Sequence, residues 1–155
     1  MSSNKICWDA CVFTALLKGE QRPADEISGL REIVDLVDRK KVVLITSALI
    51  ETEVIGELDD ATLQERLEAL FQRPNIVQVA ASAEILRKAG LIRKAARESN
   101  RSLKTPDAVY VATAILHAAN SLQTFDDKLL ALSESPIVDG LQITKPRGMQ
   151  TVLQL

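Results

Sequence analysis

A chain of 155 residues with 46% hydrophobic content is long enough to bury a sizeable core, and one domain is expected over 1–155. Aromatic residues make up only 3%, which leaves almost no material for stacking platforms under single-stranded bases. The net charge of −2 argues against a surface coated in positive charge, though not against a local basic patch.

The first apolar run is Lys5-Ile6-Cys7-Trp8, a short strand followed at once by Asp9 and a helix over 10–17. Residues 18–25 hold Gly19 and Pro23 and read as a loop. A helix over 26–40 places Ile27, Leu30, Ile33, Val34 and Val37 on one face. Val42-Val43-Leu44-Ile45 suits a strand buried on both faces, after which Thr46 or Ser47 caps a helix running to about Leu58. Further helices are expected over 61–72 and from Ser82 onward, with a strand over 75–79 between them. Thr105-Pro106 opens an apolar helix to about Asn120, since proline suits the first helical position. A strand over 122–125, a short helix over 127–133 and an edge strand over 141–144 complete the chain. Strands alternating with helices predict an α/β fold, a mostly parallel sheet covered by helices on both faces.

No run approaches the roughly 18 apolar residues of a membrane span, and no secretory signal precedes the first strand. A cytoplasmic protein without membrane contact is expected. Cys7, Cys11 and the lone His117 are too few for a zinc site. Both thiols are expected reduced and buried, and His117, late in an apolar helix, is expected to pack.

Acidic residues punctuate this pattern. Asp9 follows the first strand, where it can cap the next helix. Asp107 falls in a first turn that Thr105 can cap, and Asp126 follows a strand. Glu53 flanks the Ile50, Val54, Leu58 stripe, with Glu51 on the opposite flank, and periodicity alone does not choose between them. In a parallel sheet the strand ends gather along one edge, so these carboxylates can converge there. Converging carboxylates resist ionising together unless a divalent cation neutralises them.

Asp9 with Ala10-Cys11-Val12, the run from Ser47 to Val54, the run from Pro106 to Ala114, and Leu122-Gln123-Thr124-Phe125-Asp126 occur in order over essentially the whole chain. This set resembles the motifs of the PIN-domain nuclease family. The resemblance implies a three-layer α/β/α sandwich and a ribonuclease with Asp9, Glu53, Asp107 and Asp126 as its catalytic acids and metal ligands. It selects Glu53 over Glu51 and Asp126 over Asp127, and makes Thr124 a supporting residue. Asp9 and Asp107 would be the central ligands of Mg²⁺ or Mn²⁺, ions suited to an all-carboxylate set. Cys11 departs from the family, which usually has Asn or Ser there. The same resemblance implies an RNA substrate, a small antitoxin partner of the toxin–antitoxin kind, and paired subunits.

Between 87 and 104 seven cations face only Glu98, so this stretch carries +6 and the remainder −8. Arg93, Arg97 and Arg101 recur at four-residue spacing, and Lys104 leads on towards Asp107. They form either a solvated helix face or a cationic flank that holds phosphates. Two other readings stay open: an RNA-processing nuclease without an antitoxin, and a non-catalytic binding domain whose acids are caps. A haloacid-dehalogenase-type phosphatase would need Asp at position 11, and a response-regulator receiver would need acids before the end of the first strand.

Overall fold

A computed structural model describes residues 4–57 and 60–147. Strand β1 (Asn4–Trp8) runs into helix α1 (Ala10–Lys18), then helix α2 (Ala24–Asp38) and strand β2 (Val42–Ser47). Helices α3 (Ile50–Ile55) and α4 (Ala61–Phe71) precede strand β3 (Ile76–Val79). Helices α5 (Ala83–Glu98) and α6 (Thr105–Leu116) lead to strand β4 (Ser121–Gln123), helix α7 (Asp127–Leu130), a 3-10 turn (Pro136–Val138) and strand β5 (Gln142–Thr144).

The sheet order is β3-β2-β1-β4-β5, and every pairing among the described residues is parallel. Cys7 lies between Ile45 and Leu122 in register. Alternation then splits the strand residues between two cores. Ile6, Trp8, Val42 and Leu44 pack with Val12, Phe13, Ile33, Ile50, Val54 and Leu67 from α1 to α4. Cys7, Ile45, Leu122 and Ile143 pack with residues of α5, α6 and α7 on the other face. This is the three-layer arrangement. Trp8 anchors the first core edge-on to Phe13, centroids 5.2 Å apart, and Trp8 Nε1 donates to Gln123 Oε1 at 2.7 Å. Truncating Phe13, which is fully buried, to alanine would cost about 3–5 kcal/mol.

The sheet grows in one direction from β1 to β2 and β3, and in the other to β4 and β5. The helices that follow β1 and β4 cover opposite faces, with Phe13 of α1 in one core and Leu129 of α7 in the other. A crevice therefore opens between the carboxyl ends of β1 and β4, the topological switch point.

Several boundaries differ from expectation for local reasons. Thr46 and Ser47 remain in β2, where Ser47 pairs with Val79 and the Thr46 hydroxyl donates to the Trp8 carbonyl at 2.8 Å. Ser47 Oγ accepts from Leu49 N–H at 3.1 Å, so it builds the turn before α3 rather than capping the helix. Thr105 lies inside α6, and Lys104 holds the cap position without a side-chain bond. The expectation for Leu58 falls outside the described residues. Helix α6 stops at Leu116 because Ala118 takes φ 54°, and Ala119 N–H closes back on the Ala114 carbonyl at 2.9 Å. His117, expected to pack, therefore sits exposed at the helix end.

Candidate active site

Asp9 is placed by two effects. It is the first residue after β1, and its Oδ1 caps α1 by accepting from Val12 N–H at 3.3 Å. Its Oδ2 accepts from the Thr124 hydroxyl at 2.5 Å, and the Cys11 thiol donates to Oδ1 at 3.0 Å. Thr124 is fully buried beyond the end of β4, and its Oγ1 also accepts from Asp126 N–H at 3.0 Å. One hydroxyl thus joins the acids at the ends of β1 and β4. Asp126 in turn caps α7 through Lys128 N–H at 2.8 Å.

Glu53 rises from α3, half-buried, and accepts a hydrogen bond from the Tyr110 hydroxyl at 2.8 Å. Glu51 is exposed and accepts from Gln78 Nε2 at 2.6 Å, away from the crevice. Asp107 occupies the first turn of α6, one turn before Tyr110 on the same face. Asp9, Glu53, Asp107 and Asp126 all line one cleft of about 450 Å³, together with Cys11, Arg22, Lys104 and Tyr110.

The electrostatics record this convergence. Burial, then the charges of Asp126, Asp9 and Glu53, push Asp107 up to about 6, with Lys104 opposing them. Asp9 is also raised, chiefly by burial, although its bonds from Cys11, Thr124 and Val12 favour the carboxylate. Glu53 is raised by burial and partly restrained by Tyr110. Among the described residues no three His, Cys, Asp or Glu form a ready-made ligand group. The donors around the cleft are carboxylates without an imidazole, a set that fits a hard divalent cation.

Sequence reasoning missed Tyr110, Arg22, Glu20 and Glu57, all of which border the cleft. Tyr110 carried a signal: the chain's only tyrosine sits in an apolar helix, three residues after Asp107, and its hydroxyl needs a partner. Arg22 lies in the predicted loop, paired with Glu20 at 3.2 Å and Glu26 at 3.1 Å, its guanidinium 3.8 Å from the Phe125 ring centre. Cys11 does bond its neighbours, despite the weak polarity of a thiol, and it is only half-buried because it borders the cleft. Arg93, Arg97 and Arg101 stand apart from the acids around a second cavity, while Lys104 joins the acidic cleft.

The sequence profile of the PIN domain matches residues 6–134. The chain belongs to the PIN domain family. No curated protein matches it. Among solved structures, VapBC2 from Rickettsia felis, bound to a DNA fragment from its promoter, superposes with a TM-score of 0.68 at 12% identity, covering 90% of this chain and 96% of that chain. A toxin–antitoxin complex from Klebsiella pneumoniae gives 0.62 at 20% identity over 96% of this chain and 100% of that chain. Mycobacterium tuberculosis VapC20, a sarcin–ricin loop cleaving toxin, gives 0.62 at 16% identity over 81% and 93%. At these identities the likeness is one of fold. As a PIN domain the chain has its acids at the sheet edge its topology dictates, and no helix among its described residues is long and apolar enough to cross a membrane.

Proposed function

We propose that this PIN domain is a divalent-cation-dependent endoribonuclease that acts as the toxin of a toxin–antitoxin pair. The observation that carries the reading is the convergence of Asp9, Glu53, Asp107 and Asp126 on one cleft, where burial and the neighbouring charges push Asp107 up to about 6. Acids spaced so widely in sequence converge at such a cost where a cation is to be held. Asp9 and Asp107 would hold Mg²⁺ or Mn²⁺, with Glu53 and Asp126 completing the set directly or through water. When bound, the ion would supply a Lewis acid that activates water towards a phosphodiester and offsets charge on the departing oxygen.

The chain's own residues prepare that chemistry. Thr124 locks Asp9 and Asp126 into one unit, and Cys11 and Val12 fix the second oxygen of Asp9. Tyr110 orients Glu53 and favours its charged form against the burial that raises it. Lys104, at the cleft wall, offers a cation to an incoming phosphate. The choice of RNA is supported by the loop-cleaving activity named for VapC20, and the antitoxin by the complexes in which such folds were solved.

The test is cleavage of total cellular RNA by the purified chain with Mg²⁺, with Mn²⁺ and with EDTA, followed by mapping of the new ends. Cleavage should require the cation, and Asp9→Asn should reduce it on the order of 100-fold or more while leaving the protein folded. Cleavage that persists unchanged in EDTA or in Asp9→Asn would refute the reading. A short reading frame just upstream, whose product co-purifies with this chain and blocks cleavage, is the result expected of the antitoxin.

A further inference from the structure

The segment entering α6 has pockets of opposite charge on either side of it. Lys104 and Pro106 line the acidic cleft, whereas Ser102 and Leu103 line a separate cavity of about 170 Å³ walled by Arg93, Arg97 and Arg101. Arg93 and Arg97 lie one turn apart on α5. The four-residue rhythm suggests that Arg101 continues the same helix, but α5 ends at Glu98. Asn100 takes φ 57°, its N–H bonds the Arg97 carbonyl at 3.0 Å, and Arg101 N–H bonds the Ala96 carbonyl at 2.8 Å. That left-handed turn brings Arg101 back beside the last turn of the helix. Arg93 Nε then donates to the Leu103 carbonyl at 3.1 Å, tying the returning segment to α5.

No ion pair among the described residues involves any of these three arginines, whereas Arg22, Arg39, Arg73, Lys88 and Lys145 each meet a carboxylate. Three guanidinium groups around one cavity repel one another unless an anion joins them. Their planar forks match phosphate oxygens in pairs. The cavity is below the roughly 300–1,000 Å³ typical of small-molecule pockets, which suits a phosphate-sized group. Consecutive Cα atoms are about 3.8 Å apart, so Leu103 in one wall and Lys104 in the other set the two pockets side by side.

We infer that Arg93, Arg97 and Arg101 form a second phosphate subsite, which grips the backbone of an RNA strand a few nucleotides from the phosphate at the acidic cleft. The identity of the strand rests on the ribonuclease reading; the anion chemistry does not. The subsite sets substrate length and register rather than base identity, because its contacts are to backbone charge.

The experiment uses the Asp9→Asn chain with Mg²⁺ present, so that binding is read without cleavage while the cation offsets the remaining carboxylates of the cleft, and oligouridylates of two to ten nucleotides as probes. Fluorescence anisotropy should show affinity rising steeply once the strand reaches both pockets. Combining Arg93→Gln, Arg97→Gln and Arg101→Gln should abolish that step, weaken the longer strands at least about tenfold, and reduce the salt slope by about 0.7, the value for one phosphate of a single strand. Because Arg93 also holds Leu103, the pair Arg97→Gln, Arg101→Gln serves as the variant that preserves the loop, and it should lose most of the same step. Equal affinity and an equal salt slope in parent and variants would overturn the subsite, whatever cleavage assays show. Loss of binding to an acidic partner protein with RNA binding intact would overturn it in favour of a protein contact. If the unsubstituted chain cleaves no RNA with Mg²⁺ or Mn²⁺ yet the arginine variants still lose the length-dependent step, the subsite stands and the nuclease reading falls.

Discussion

Replacing Asp107 by asparagine should stabilise the cation-free protein, and the size of the gain follows from the cleft's electrostatics. The carboxyl is raised from 3.8 to about 6 in the fold. A native group that holds its proton more tightly than the unfolded chain contributes stability that is full below pH ~4 and lost as pH rises through ~6. The interval corresponds to about 3 kcal/mol before screening. Asp107 is only partly buried, so solvent reduces this to about 1–2 kcal/mol. Removing a carboxylate from the first turn of α6 forfeits about 0.5 kcal/mol of helix-dipole interaction, leaving a net gain of about 1 kcal/mol. For a chain of this size that is a rise in Tm of about 2–4 °C at pH 7.5 in EDTA, shrinking towards zero at pH 4. Saturating Mn²⁺ should invert the order, since the parent gains about 2.7 kcal/mol at a hundredfold excess over Kd and the variant gains less. Thermal melts at both pH values, with and without the ion, decide the matter. A variant no more stable than the parent at pH 7.5 in EDTA, or one whose advantage does not change with pH, would refute the account of like charges crowding the cleft.

Two further outcomes follow from particular contacts. Tyr110→Phe removes the donor that favours the charged form of Glu53, so Glu53 should titrate higher still, and Mn²⁺ binding measured calorimetrically should weaken roughly tenfold and shift to higher pH; an unchanged isotherm would deny Tyr110 its positioning role. Ala118→Gly should stabilise the chain by about 0.5–1 kcal/mol in urea unfolding, because Ala118 holds φ 54° at an exposed helix end where a side chain is strained; a loss of stability would count against that turn.

The features legible in the sequence are those set by short-range physics. The β-branched run at 42–45 marks a strand buried on both faces, and Ser82 marks a helix start because its Oγ can accept from Ile85 N–H, which it does at 3.3 Å. Glu51 and Glu53 have the same local periodicity, so the choice came from the motif resemblance, and the fold shows its physical basis: one meets Gln78 on β3, the other Tyr110 on α6. The end of α5 was hidden because Asn100, rather than glycine, takes the left-handed position, so the arginine spacing runs on past the helix without a visible stop. Asp9 is the instructive case. In sequence, a helix cap and a cleft acid look like rival explanations of one residue. In the structure Oδ1 accepts from Val12 N–H while Oδ2 accepts from Thr124, so the cap is what holds the carboxylate at the strand end where the other acids arrive. A local rule satisfied at such a position therefore does not argue against a site there. The cap supplies the rigidity that a group of mutually repelling carboxylates needs in order to stay in place.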